Sequence, residues 1–397
     1  MASVFPLCGQ PLQVNDGIVI AGGGLAGAAC AVALARAGKQ VTVLEREAGP
    51  THKICGEFLS TEAQAYLSSW GIDVPNMGGA LISRLRLTRG KRSVETPLPF
   101  HGFGISRRRL DEAVLQQAEN AGARILRGRT ITHVDVQSGG RLTLTDGHTM
   151  MPETLFLATG KHELRGARRD AAAPESLIGF KMYFKLTQTA AAELAGRTEL
   201  ILFRGGYAGL QMVEGGQANL CLLADRTRLQ AAGGTWKSLL NDLGTETPLL
   251  ARLLAHGEPL LEQPLTIYRV PYGFIHKPRL MDARNLYRLG DQACVIPSFT
   301  GDGMSIALHS VAIATSMFLQ GCDAATYHRR LALDIGGQIK RAMILYRLAN
   351  AGATNRFFLP LVTLFPRSLN IAATLTRVPL RARRFSGSLK PSPPRRA

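Results

Sequence analysis

A glycine turn set between a strand and a helix constrains this chain more than any other feature. Residues Asp16 to Ala21 form a short apolar run, Gly22-Gly23-Gly24-Leu25-Ala26-Gly27 follows at once, and Ala28–Ala37 reads as a helix stopped by Gly38. Gln40–Leu44 is then a second strand, which completes a βαβ unit. Within the G-x-G-x-x-G spacing, Gly22 permits a tight turn, Gly24 lets backbone approach a pyrophosphate, and Gly27 lets helix and strand pack closely. Leu25 and Ala26 open the helix, whose N-terminus faces the anion. Glu45, with Arg46 beside it, closes the second strand 21 residues after Gly24, where a carboxylate accepts hydrogen bonds from a ribose. An acid at that point favours the bare ribose of FAD or NAD over a phosphorylated one.

Further along, Leu110–Ala121 is helical, while Arg124–Leu126, Leu142–Thr145 and Thr154–Thr159 are strand-like, the last running into Gly160. The pattern changes from Leu177 to Val270. Lys181–Leu186, Leu200–Phe203, Tyr207–Val213 and Ala218–Ala224 alternate like antiparallel strands, and Glu214-Gly-Gly-Gln217 is a hairpin turn. Asn285–Leu289 returns to a buried strand, followed by Gly290-Asp291 and a helix from Gly303 to about Leu319. The chain therefore reads as an α/β nucleotide-binding domain interrupted by a β-rich insert.

Composition excludes several classes. With 46% hydrophobic and 19% charged residues in 397, the chain is globular, and its 42 glycines and 20 prolines follow no period. No run reaches the roughly 18–20 apolar residues of a membrane span, and no basic residue precedes Arg36 to begin an export signal. Cys8, Cys30, Cys55, Cys221, Cys294 and Cys322 are scattered, with no C-x-x-C pair and no metal-ligand spacing. That argues for a reducing, cytoplasmic setting, for no metal, and against a redox-active cysteine pair. Lys and Arg exceed Asp and Glu by 18, and residues 335–397 hold twelve of the basic residues and none of the acidic ones. Aromatic interleaving and nucleic-acid motifs are missing, so no nucleic acid is expected. Beside Phe357, Leu361, Val362 and Phe365, the basic charge suits peripheral contact with an anionic membrane or a greasy substrate. An ordinary packed helix followed by a solvated tail accounts for it equally well.

At Leu289-Gly-Asp291…Pro297 and Ser298-Phe-Thr-Gly301-Asp302-Gly303-Met304 the sequence resembles the FAD-dependent superfamily of p-hydroxybenzoate-hydroxylase-like monooxygenases, geranylgeranyl reductases and flavin-dependent halogenases. The resemblance implies that Asp291 meets the ribityl and pyrophosphate part of FAD and that the Gly301–Gly303 turn brings N–H groups to the flavin ring. Ser106-Arg107-Arg-Arg-Leu-Asp111 resembles the R-x-x-L-D helix start whose arginine, here Arg107, reaches FAD. Gly160 falls at a second FAD-contacting turn, although this chain has Thr159 where many hydroxylases have Asp. Lys53-Ile-Cys55-Gly56-Glu57 is similar to the Cys-Gly element of the reductases, which lies against the isoalloxazine; Cys55 is either a spacer or a catalytic thiol. Tyr207, Tyr272, His276 and Lys277 fall in or beside the insert and read as packing or surface more readily than as catalytic. Trp70 and Trp236 lie outside any Trp-x-Trp-x-Ile-Pro element, which argues against halogenation.

The resemblance implies an α/β fold in which a glutathione-reductase-type FAD domain (15–82, 104–170 and 280–330) interleaves with an antiparallel β-sheet substrate domain (83–103 and 171–279). A helical region (331–385) and a disordered basic tail (386–397) complete the chain. The expected activity is hydroxylation of a lipophilic aromatic or polyketide-like substrate through a flavin C4a-hydroperoxide, with NAD(P)H as donor. The alternative is reduction of an isoprenoid or lipid double bond, and a non-catalytic FAD-binding partner is the third reading.

Overall fold

The opening βαβ unit nucleates a parallel sheet in the order Leu286–Arg288, Thr154–Leu157, Ile18–Ala21, Val41–Glu45, Arg124–Arg127. In this computed structural model, residues 17–136, 140–169, 177–278, 283–350, 362–365, 367–379 and 382–383 are described. Alternation along the strands sorts their side chains between two cores. Ile20, Val43 and Phe156 face the helices Leu25–Arg36, Arg107–Asn120 and Gly303–Leu319. Val19, Ala21, Leu44, Leu155 and Leu157 face a three-stranded meander, Ile131–Asp135, Arg141–Leu144 and Thr149–Met150.

A nine-stranded sheet stands over the carboxyl edge of the parallel one. Its centre is Leu177–Lys185, Ala218–Asp225, Gly206–Met212 and Gly196–Phe203, flanked by Ala80–Arg89 and Arg92–Gly104. Most of its pairs are antiparallel, but Gly196–Phe203 runs parallel to Ala80–Arg89. The insert is also less purely β than its sequence suggests. Helices Gln188–Leu194, Trp236–Glu246 and Pro248–Leu254 cover the outer face, where Leu239, Leu243, Leu250 and Leu253 bury against Ile178, Phe180, Met182 and Phe184. Thr187 and Thr235 cap the first two of these helices with their side chains. With the outer face dry, Gly179, Lys181 and Tyr183 on the same strand are left to the inner face.

Helices Ala324–Asn350 and Arg367–Leu375 close the chain's far side. The longer one buries Ile335, Ile339 and Ala342 and exposes Leu333, Ile344 and Leu348. Most of the greasy run at 357–366 and all of the basic tail lie outside the described residues. Among the described residues no helix is long and apolar enough to cross a membrane.

The glycine turn sets the packing tolerance of the first core. A Cβ on Gly27 would fall inside the van der Waals envelope of the Gly22 carbonyl oxygen and stand 3.2 Å from the Ala158 Cβ. Gly27→Ala is therefore expected to lower the unfolding free energy by about 3 kcal/mol, as overpacking does, measured by denaturant titration. A variant as stable as the parent would contradict this close approach.

Candidate active site

Three strands of the parallel sheet end at the same edge. Ala21 passes into Gly22, Leu157 into Ala158–Gly160, and Arg288 into Leu289–Asp291. This is where open α/β sheets place their ligands. Between that edge and the inner face of the large sheet lies a cavity of about 770 Å³, within the roughly 300–1,000 Å³ of small-molecule sites. Its walls bring together both glycine turns: Gly22, Gly24, Leu25, Ala26, Glu45 and Arg46 from one, Gly301, Gly303 and Met304 from the other. Cys55, Gly56, Arg107, Gly160 and Asp291 also line it.

The donors at these walls fit FAD. Helix Leu25–Arg36 starts at Gly24 with neither a side-chain cap nor an acidic residue in its first turn, so its N-terminal N–H groups and positive dipole end are free to meet a diphosphate. Helix Gly303–Leu319 likewise starts with no side-chain cap and no acid in its first turn. Glu45 accepts from the Gly23 N–H at 2.6 Å and the Glu47 N–H at 3.0 Å, which holds its carboxylate at the cavity rim for a ribose. Arg46 pairs with Glu47 at 2.8 Å, and Arg107 forms a two-pronged pair with Asp111 at 2.6 and 2.8 Å.

Two of the anticipated contacts sit behind the cavity wall. Gly301 takes a left-handed conformation (φ 72°), and the chain then turns the Asp302 carboxylate inward to Arg377, 2.7 Å away and buried. Burial, against the pull of Arg377, pushes Asp302 up to about 7. Pro297 is also buried outside the lining, between Ile296 and Ser298, which do face the space. Neither side chain is part of the cavity lining, which this stretch supplies through Ser298, Phe299, Thr300, Gly301, Gly303 and Met304. Gly27 stands behind the wall as well, in the packing role already described.

Asp291 is held by a lysine that sequence reading missed. Lys161 Nζ lies 2.8 Å from its Oδ2. Burial alone would raise the Asp291 carboxyl, but Lys161, Arg169 and Arg107 outweigh it and hold it below the ordinary range. Lys161 follows Thr159-Gly160 directly. The turn that lacks the usual aspartate therefore carries a cation instead, with Thr159 Oγ1 donating to the His162 carbonyl at 3.2 Å.

The strongest unanticipated feature lies under Cys55-Gly56. Glu57, fully buried with φ 61°, pairs with the fully buried Lys181 at 2.5 Å. It also accepts from Tyr183 Oη at 2.7 and 2.9 Å and from the Arg107 N–H at 2.7 Å. Tyr183 Oη in turn meets His52 Nδ1 at 3.1 Å, and Asn219 donates to the carbonyls of Cys55 (3.2 Å) and Gly56 (2.9 Å). Burial raises the Glu57 carboxyl, opposed by Lys181, the Arg107 N–H and Tyr183. The left-handed backbone at a non-glycine residue is a strained state that only such over-determined surroundings hold. The signal was present in the sequence as a single lysine inside the apolar run Leu177–Phe184. Cys55 Sγ accepts from the Glu57 N–H at 3.3 Å. Cys221 lines the same cavity, and burial pushes its thiol up to about 12.

Of the four insert residues, Tyr207 and Tyr272 converge on Ser298 in the cavity wall. His276 instead packs edge-on to His328, with ring centres 4.5 Å apart.

Comparison with known proteins agrees with this geometry. A family model described as pyridine nucleotide-disulphide oxidoreductase matches residues 17–76, the segment of the first glycine turn. Menaquinone reductase of Mycobacterium tuberculosis (strain CDC 1551 / Oshkosh) is 25% identical over 358 residues, 82% of each chain. Protein FixC of Escherichia coli (strain K12) is 24% identical over 349 residues, 80% of this chain and 79% of its own. The structure of the flavin-dependent brominase Bmp2 superposes with a TM-score of 0.74 at 16% identity, covering 90% of this chain and 92% of that one.

Two outcomes follow from the buried cluster. Lys181→Met strands a buried carboxylate and is expected to cost about 3–5 kcal/mol in denaturant unfolding, with Glu57→Gln in the same chain restoring part of the loss; an additive double variant would contradict the pairing. Burial, then Lys181 and Arg108, bring His52 down from 6.5 to about 4. Its neutral form therefore supports the fold above pH 6.5, and that support is lost as pH falls towards 4. His52→Asn should flatten this acid-side decline in unfolding midpoint, whereas an unchanged profile would place the titration elsewhere. Glycine cradle, cavity-lining Glu45 and the similarity to menaquinone reductase and FixC together make the chain an FAD-dependent oxidoreductase.

Proposed function

We propose that this enzyme hydroxylates a lipophilic aromatic or polyketide-like substrate, using NAD(P)H as electron donor. The observation that carries the reading is one continuous cavity that begins at the glycine cradle and ends in an apolar chamber walled by Leu87, Leu202, Leu223, Val270 and Phe299. Bound FAD supplies two-electron redox chemistry and the activation of dioxygen. The chain's own part is position and dryness. Gly301, Gly303 and Met304 line the cavity, where they would hold the ring end, and the N-terminus of their helix would favour negative charge there. The nine-stranded roof keeps water from the reacting centre, which oxygen chemistry on reduced flavin requires. Glu57, Lys181 and Asn219 hold the Cys55-Gly56 turn in place, so Cys55 acts first as a small residue that gives the ring room.

Halogenation is disfavoured, because neither tryptophan stands in the chamber. Trp70 is buried against Tyr66, and Trp236 packs on Phe180 outside the roof. Reduction of a lipid double bond or ring is the second reading, favoured by the menaquinone reductase relative and its 82% coverage. Under either chemistry, a peripheral lipid surface fits the exposed Ile344, Leu348, Leu364, Phe365, Ile371 and Leu375, flanked by Lys340, Arg341 and Arg347 with no acid after Asp334.

Purified enzyme reduced with NADH or NADPH and exposed to isotopically labelled dioxygen with an alkylresorcinol should place one labelled oxygen atom in the product, read by mass spectrometry. Anaerobic turnover of menadione or an isoprenoid alkene, with no label entering the resorcinol, would replace hydroxylation by the reductase reading. Protein that takes up no FAD would contradict both.

A further inference from the structure

Three hydroxyl groups meet in the cavity wall, each from a different part of the chain. Tyr207 comes from the strand Gly206–Met212, Tyr272 from the segment after Leu265–Tyr268, and Ser298 from the turn leading to Gly301. Tyr207 Oη bonds to both Tyr272 Oη and Ser298 Oγ. Tyr272 Oη lies 2.7 Å from Ser298 Oγ and accepts from the Ser298 N–H at 3.1 Å. All three residues line the cavity; the two tyrosines are otherwise buried, while Ser298 is open to the space. Burial raises both phenols above their ordinary range, against hydrogen bonds from Ser298, so the cluster is neutral at physiological pH.

A closed ring of three hydroxyls spends each O–H on its neighbour. Rotating one of them opens the ring and frees a hydrogen for a ligand oxygen, while the Ser298 N–H holds Tyr272 in place. Beside this cluster the cavity is lined by Leu202, Leu223, Val270 and Phe299, with Tyr346 packed behind Phe299 and Tyr272. Phe299 meets Tyr207 edge-on with ring centres 6.0 Å apart, Tyr346 meets Tyr272 edge-on at 5.2 Å, and Phe299 stacks on Tyr346 at 6.3 Å. In such surroundings a polar cluster without a function would be a cost, since an apolar wall of the same shape packs as well. Beyond Tyr346 the cavity continues between the two C-terminal helices, along Leu345, Ala349, Leu369 and Ala372. Small and aliphatic residues from both helices line that stretch, and Thr376 and Arg377 also border it.

We propose that the Tyr207–Tyr272–Ser298 cluster is the docking point for a ring oxygen of an amphiphilic substrate, with a flat phenol-type head beside Phe299 and an aliphatic tail along the stretch of cavity between the C-terminal helices. This deepens the flavoenzyme reading and rests on it, because Ser298 belongs to the turn that approaches the ring end of FAD. The hydroxyls select the head by its oxygen, and that stretch selects the tail by length. They fix orientation rather than carry out chemistry.

The test uses FAD-loaded enzyme and calorimetric titration with two probes that differ by one hydroxyl, para-heptylphenol and heptylbenzene. The native enzyme is expected to bind the phenol about tenfold more tightly, the scale of one to two net hydrogen bonds. Tyr272→Phe and Ser298→Ala should each reduce that preference to threefold or less by weakening the phenol alone. Ala372→Trp should weaken para-heptylphenol at least tenfold and leave para-ethylphenol within twofold. Equal affinity of the native enzyme for phenol and hydrocarbon overturns the proposal whatever the variants do, as does a parallel loss for both probes in the hydroxyl variants. Flavin content of the native protein is measured on the same samples; its absence counts against the flavoenzyme reading, whereas equal probe affinities in fully yellow protein count against the docking site alone.

Discussion

The buried ion pair between Glu57 and Lys181 is the contact on which the cavity depends. Glu57 belongs to the nucleotide-binding half and also receives the first N–H of helix Arg107–Asn120, while Lys181 and Tyr183 project from the inner face of the roof. Two charges removed from water at this depth are held because Lys181, the Arg107 N–H and Tyr183 converge on the carboxylate. In the same stroke the cluster fixes the Cys55-Gly56 turn, the left-handed backbone at Glu57 and the spacing between the two layers. Replacing it with apolar residues of similar volume could be tolerated energetically. A loose roof, by contrast, would leave the cavity open to water.

Within that frame the chemistry is set by backbone rather than by reactive side chains. Two helix N-termini without side-chain caps border one cavity, and in bound FAD the first would suit the diphosphate and the second would favour negative charge at the ring. Lys161 and Arg107 add cations along the same path, each restrained by a carboxylate partner. The cysteines that might suggest thiol chemistry are ordinary by comparison. Cys30 and Cys294 are buried in the core with thiols pushed up by burial, and the five described cysteines are all free.

Much of this was legible in the sequence because it rests on local rules. The first turn, its helix and the carboxylate at Glu45 follow from glycine spacing and strand length, and the helix read from Gly303 to about Leu319 spans Gly303–Leu319. What could not be read is what depends on contacts between distant segments. Residues 83–103 are assigned to the β-sheet domain by the resemblance alone, because Ala80–Arg89 and Arg92–Gly104 lack clean alternation and Arg86 finds its partners, Glu199 and Glu193, in another part of the sheet. The helices at 188–254 were missed because the strands around them dominated the pattern. The inward direction of the Asp302 carboxylate could not be read, because a motif gives the order of residues in a turn and not the direction of each side chain. Tyr207 and Tyr272 are 65 positions apart, and only the folded sheet makes them neighbours.

Diffraction from crystals grown with FAD gives the most direct test of the central idea. The adenosine ribose should lie within hydrogen-bond reach of Glu45, and the ring end should rest at Gly301–Gly303 beneath the Cys55-Gly56 turn. Density for FAD in any other place, or running in the opposite sense through the cavity, would contradict it.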